Sequence, residues 1–322
     1  MTKIVTFDEI KDAPVEQIMA GLNQENIYMA KPYLNAITLR KDEFESLLLA
    51  RLQKVSKKYA AENVFDYGDD LTYIVLLLTQ FKSAGAFEAI FDVFNLSEDD
   101  NYGYWGDYTT EYLGAILYRT CSDFDKIKAF EFSNKDVIEY IRGAVYDALI
   151  FAYVEGDITR DEIVKVSSEI LDLGVEFDEE IASCMCGMLD INLFELKDKM
   201  MVCFDDLSLE ETNVFGKEEF SRLRESCEYD KKNISLYRRI ALSDFDDVFT
   251  FMKKSGFCND AYAEYQNILA NTEEGKARLE FQRLTREEQD KKEKIKLALK
   301  AKKAKENAKK VKAAKKKNRK KK

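Results

Sequence analysis

A chain of 322 residues that is 46% apolar, holds two prolines, carries a formal charge of −10 and contains no histidine can build a sizeable core, as one large domain or two small ones. So little proline argues against a β-rich fold with its many turns. The missing histidine excludes every histidine-dependent triad, histidine-ligated metal site and histidine pH switch.

The first element signal is Thr6-x-x-Glu9, a capping-box pattern in which each side chain satisfies a backbone donor at a helix start. Pro14 suits the opening of the next helix, which runs through Leu22. Ile27–Ile37 and Asp42–Tyr59 read as helices, the second with Phe44, Leu47, Leu48, Leu52 and Val55 at helical spacing. Leu71–Phe81 is apolar all round, the mark of a central buried helix. Past Gly85, Phe87, Ile90, Phe91 and Phe94 form the inward stripe of a partner helix, giving a helical hairpin.

Ser97–Tyr108, rich in Asp, Gly and aromatics, reads as a loop, and Thr110–Tyr118 as a helix. Val137–Val154 places Ile138, Ile141, Val145 and Leu149 on one face and ends at Gly156. Thr159-x-x-Glu162 is a second capping box, opening a helix with Ile163, Val166, Ile170 and Leu173 inward. Helices over Asp178–Leu189 and Phe194–Phe204 follow. The hairpins recur at an irregular period of about 28 to 41 residues, around that of HEAT-like solenoids. From Leu207 the pattern weakens, with a cap signal at Ser208-x-x-Glu211 and short helices expected over Glu218–Cys227, Phe245–Lys254 and Asp260–Ala270. Thr285-x-x-Glu288 opens a stretch rich in Ala, Lys and Glu, all helix formers, so Thr285–Lys305 reads as a solvated helix.

The expected fold is therefore all-α: irregular HEAT-like helical hairpins stacked as a short solenoid, followed by a lysine-rich tail, part helical and part disordered. Three regions result: a helical-repeat domain over 1–206, a small helical extension over 207–272 and the basic tail over 273–322. The tail holds 22 Lys/Arg against 8 Asp/Glu, about +14, which leaves about −24 on residues 1–272. Such a tail is expected to bind polyanions or to screen its own acidic body. The six cysteines lack paired spacing and read as small buried apolar side chains. No apolar run approaches the roughly 20 residues of a membrane span, and the N-terminus lacks a secretory pattern. A cytoplasmic location without membrane partners is expected.

Leu76–Phe81, Gly106-Asp107 with Thr110–Leu113, Tyr140–Ala144, Glu155–Arg160 and Asp190–Leu193 with its continuation to Asp206 resemble, in order and spacing, an uncharacterised bacterial family of HEAT-like helical-repeat proteins. The resemblance covers roughly residues 13–206. Members often end in a SEC-C motif, a small Cys-rich zinc module; none occurs here, so a role for that module does not carry over. The family implies a fold and no activity.

Two constellations carry candidate chemistry. Asp107 and Glu111 share a helix face beside Tyr102, Tyr104, Trp105 and Tyr108; they read either as a ligand pocket or as a helix cap complementing the dipole. Arg142, in an apolar helix, reads as a bridge between hairpins through Asp147 or Asp107, or as an anion contact. Ligand-binding candidates are thus Trp105, Asp107, Glu111 and Arg142. In the tail, Lys309, Lys310, Lys315, Lys316, Lys317, Arg319, Lys320, Lys321 and Lys322 can release counterions from phosphates, without aromatics after Phe281 to stack on bases. No phosphate loop, metal site or catalytic residue is found, and no cofactor is expected. The expectation is a non-enzymatic interaction or scaffold protein with an unknown protein partner, whose tail has non-specific affinity for RNA, ribosomes or DNA. The alternative is a small-ligand binder or carboxylate enzyme built on the Asp107/Glu111/Tyr cluster.

Overall fold

Several helix starts in this chain are set by side-chain oxygens that take up backbone donors left free in a first turn. A computed structural model describes residues 4–62, 68, 70–174, 177–207, 216–225, 242–255 and 259–272, with 275–277, 280, 283–284 and 291. Among the described residues the structure is all-α, with no strand. Val5–Cys258 forms one compact unit; Asn259–Lys322 with Met1–Ile4 forms another.

In the large unit, α1 (Phe7–Ile10) opens on the expected box: the Glu9 N–H donates to Thr6 Oγ1 and the Thr6 N–H to Glu9 Oε2 at 2.7 Å. α2 (Val15–Ala20) follows Pro14 directly. Asn26 caps α3 (Ile27–Leu39), accepting from the Tyr28 N–H. α4 (Lys41–Glu62) buries Phe44, Leu48, Leu52 and Val55. Leu47, expected on that stripe, is 43% exposed, because at about 100° per residue it falls off the line the other four define. α5 (Leu71–Phe81) is buried nearly all round, and α6 (Phe87–Phe94) buries Ile90 and Phe94 fully.

The expected loop at Ser97–Tyr108 is mostly helix. α7 (Glu98–Tyr104) is capped by Ser97 Oγ accepting from the Asp100 N–H, and Glu98, Asp99 and Asp100 fill its first turn. The glycines and aspartates that read as loop are a helix start complementing its dipole. Next comes a wider π turn over Tyr108–Tyr112, closed by the Leu113 N–H donating to the Tyr108 carbonyl five residues back. It leads into α8 (Leu113–Thr120). α9 (Phe124–Lys128), absent from the sequence reading, is a short helix capped by Asp123.

α10 (Glu139–Glu155) begins two residues later than the periodicity placed it. It ends at Gly156, whose φ of +92° closes the helix in a left-handed cap. α11 (Arg160–Ile170) opens on the Thr159/Glu162 box; α12 (Asp178–Asp190) and α13 (Lys197–Asp206) follow. The segment expected as helix from Glu218 is a 3-10 turn over Lys217–Arg222 where described. The cap signal at Ser208 lies outside the described residues.

α4 packs on α5 and α6, α5 and α6 on α8, α8 on α10, and α10 on α12, with α11 against both α10 and α12. α8 and α10 approach most closely at Gly114. A Cβ there would come within 2.5 Å of Asp147 Cβ and 3.1 Å of the Ala144 carbonyl, so the two backbones touch where a side chain cannot fit.

Chain order does not dictate every contact. A 3-10 turn over Leu242–Asp246 and α14 (Val248–Lys254) return to α3 and α5. Arg119, with a side chain only 4% exposed, holds them. Its guanidinium donates to the Thr79 carbonyl at 3.2 Å, the Leu242 carbonyl at 2.6 Å and Asp246 Oδ1 at 2.8 Å. The Val248 N–H donates to Gln80 Oε1 at 3.0 Å, and Phe249 packs edge-on against Tyr28. In the other unit, α15 (Asn259–Asn271) is the main described element. The helix expected from Thr285 to Lys305 lies, apart from Lys291, outside the described residues.

Two outcomes are expected. Arg119→Met removes the guanidinium bonds to the Leu242 carbonyl and to the Thr79 carbonyl, the latter keeping only the Lys82 N–H, and urea denaturation should register a loss of about 1–3 kcal/mol, with faster amide exchange over 242–254. The exposed Asp246 end of the pair adds little. Glu162 accepts from Lys128 and from the Thr159 backbone and hydroxyl, which lowers its pKa from 4.5 to about 2. A depressed carboxyl stabilises the fold above its unfolded value, and that contribution is lost as pH falls from about 4.5 through 2. A carboxyl-carbon NMR titration should place the Glu162 midpoint near 2, and Lys128→Met should move it up toward 4.5; an unchanged midpoint in that variant would show that the Lys128 contact is not the cause.

Candidate functional site

Of the four body residues singled out by sequence, the structure brings Trp105, Asp107 and Glu111 to one corner and sets Arg142 in another. Trp105 is 2% exposed. Its indole N–H donates to the Val93 carbonyl at 2.6 Å and its ring stacks on Phe94 at 4.0 Å. Beneath it, buried Asn101 donates to the Phe94 carbonyl and accepts from Thr109 Oγ1. Trp105 is thus wired into the joint between α6 and α7. Gly106 follows at φ +46°, a left-handed turn, and Asp107 caps the π turn by position without a side-chain cap bond. Asp107 and Glu111 are both exposed.

Arg142 does bridge neighbouring helices through a carboxylate, but the partner is Glu180 on α12, not Asp147 or Asp107. Both side chains are 9% exposed. The guanidinium also donates to the Val137 and Asn134 carbonyls and lies 5.4 Å from the Phe177 ring centre. Burial pulls the Arg142 pKa down, opposed by Glu139, yet an arginine stays charged at working pH. The pair ties the start of α10 to the start of α12.

Beside that tie lies a cleft of about 330 Å³ between α10 and α12. Glu139, Tyr140, Gly143 and Asp147 reach it from one face of α10, at i, i+1, i+4 and i+8, and Glu179, Glu180 and Ser183 from α12. The π turn contributes Thr110, neighbour in sequence to Glu111. Asp107 and Glu111 do not line it. Four carboxylates thus face a cleft with no lysine or arginine among its described lining residues. In the adjoining depression, which shares Glu139 and Tyr140, Arg142 is opposed by Glu180, and Lys135 adds a second cation. Tyr140 stands at the mouth, 47% exposed. Its phenol pKa is raised, first by the charge of Glu139, then by burial and a hydrogen bond to Glu139, then by Glu179 and Glu98; the ring sits in a negative field.

Gly143 forms part of the floor. Three glycines lie inside α8, α10 and α12, and a helix-interior glycine costs about 0.5–1 kcal/mol against alanine. At Gly114 and Gly187 packing requires it: an added Cβ would collide with Asp147 or with Ile150. At Gly143 the nearest atom to an added Cβ is Ser183 Oγ at 4.0 Å. No neighbouring side chain demands this glycine, and its bare backbone opens the cleft. The sequence held that signal, a mid-helix glycine four residues from Glu139 and from Asp147, but only the position of α12 gives it meaning.

Other chemistry is sparse. Cys184 and Cys203 are buried and Cys121 and Cys186 half-buried, all as free thiols. Burial pushes the Cys184 thiol well above its ordinary pKa, which keeps it unreactive. Among the described residues no group of three or more carboxylates or thiols is placed to hold a metal ion. No helix there is long and apolar enough to cross a membrane. The tail residues Lys309, Lys310, Lys315, Lys316, Lys317, Arg319, Lys320, Lys321 and Lys322 lie outside the described residues.

Removing one member of a buried pair strands the other charge. Arg142→Met alone is expected to cost about 3–5 kcal/mol in urea denaturation. Arg142→Met with Glu180→Met should recover most of that loss; a double variant as unstable as the single would show the pair is not what anchors α12.

No curated protein and no solved structure matches the chain. A family model described as "Protein of unknown function (DUF1186)" matches residues 13–254. The match runs past residue 206 to Lys254, the last residue of α14, and so takes in the α10–α12 cleft and the returning segment. The chain belongs to the DUF1186 family.

Proposed function

We propose that this protein is a non-enzymatic interaction protein. Its HEAT-like helical body docks a protein partner, and its basic tail adds non-specific affinity for RNA, ribosomes or DNA. The observation that carries the docking role is the α10–α12 cleft: a preformed, carboxylate-lined depression with a half-exposed tyrosine at its mouth. Such a surface discriminates partners by charge and offers one aromatic anchor.

The tail role rests on composition. Twenty-two basic residues against eight acidic ones over 273–322 supply cations that displace counterions from phosphates. The acidic body repels polyanions, so affinity should reside in the tail alone.

A single-stranded RNA homopolymer titrated against the full chain and against residues 1–272 tests this. The full chain should bind with an affinity that falls steeply as salt rises, and the shortened chain should lose at least tenfold. Affinity capture with the same two proteins should retain a common partner. Equal RNA affinities, or a partner lost with the tail, would overturn the division of labour.

A further inference from the structure

We infer that the α10–α12 cleft is a seat for a lysine or arginine side chain presented by a peptide segment of the partner. This deepens the proposed function and rests on it. Three independent features of the cleft converge on that occupant.

The first is charge. Glu139 and Glu179 face a volume of about 330 Å³ whose described lining holds no cation, while Glu180 is engaged by Arg142. A neutral or acidic guest would leave that field unanswered; a guanidinium or ammonium group answers it with charge-assisted hydrogen bonds. The second is the ring of Tyr140. It lines the cleft beside Glu139 and Glu179 and is 47% exposed; on its other side lies a depression of about 260 Å³ lined by Glu98, Lys135 and Arg142 among others. An exposed aromatic face next to two carboxylates suits a cation held by its π cloud.

The third is Gly143. The glycine in the middle of α10 keeps open a space that no side chain of the body needs, and Ala144 and the backbone give that space an apolar floor. A long aliphatic stem bearing a terminal charge matches an apolar floor below an acidic rim.

The test uses the full chain and a fluorescein-labelled Ser/Gly dodecapeptide carrying a central Arg-Lys pair, read by anisotropy. Binding should weaken at least tenfold when the pair becomes Gln-Gln. It should weaken at least tenfold with Gly143→Leu, which fills the floor, and with Glu139→Gln/Glu179→Gln. The remote, charge-matched pair Asp12→Asn/Glu16→Gln should change affinity less than twofold. Unchanged thermal transitions by circular dichroism establish that each variant is folded. Equal losses in the cleft and remote variants would show a diffuse field rather than a seat, and overturn the inference. So would full displacement of the peptide by an equimolar amount of spermine. If the wild-type chain ignores the peptide yet still retains its partner on capture, this inference falls while the proposed function stands.

Discussion

The close approach of α8 to α10 at Gly114 governs how the middle of this molecule is arranged. With no side chain between them, the two helix backbones meet, and Asp147 and Ala144 press against the bare surface of α8. α10 is thereby committed on one side. Its next face carries Arg142 to Glu180 and so takes α12, and the strip holding Glu139 and Gly143 lines the cleft between them. The π turn just before α8 belongs to the same constraint: one extra residue in that turn brings Thr110 to the cleft while Gly114 remains at the contact.

Electrostatics divides the work differently from packing. Among the described residues the two buried arginines are both consumed internally, Arg142 between α10 and α12 and Arg119 at the return of residues 242–254. Each satisfies several carbonyls besides its carboxylate, which is what makes a buried guanidinium tolerable. With those cations engaged, the carboxylates around the cleft keep their field, and the raised phenol of Tyr140 records it. An acidic body of about −24 is thus not uniformly acidic: its few buried positive charges are spent on holding helices, which concentrates negative potential where the helices part.

Helix identity was legible wherever a cap and a stripe agreed. Thr6/Glu9 and Thr159/Glu162 both form the boxes their spacing implied, Gly156 ends α10 as expected, and Leu71–Phe81 is the buried helix its uniform apolarity suggested. The reading failed where composition competed with capping. Ser97–Tyr108 looked like a loop because of its glycines and aspartates, yet Ser97 and three acids make a good first turn. The candidate residues followed the same logic. An aromatic-rich segment drew attention to Trp105, whose ring proved to be a structural stack. Arg142 was recognisable as a bridge, but its partner sits 38 positions away on a helix whose placement no local pattern encodes. The cleft needs α10 and α12 side by side, and pairing between helices is a tertiary fact.

The sealed joint at Trp105 has a spectroscopic consequence. It is the chain's single tryptophan, shut away from water and stacked on Phe94, so the indole emission of the whole protein originates at one place. With excitation beyond the absorption of the chain's 17 tyrosines, its wavelength and quenching therefore monitor the α6–α7 junction. Native indole fluorescence is thereby a gauge of that junction's integrity.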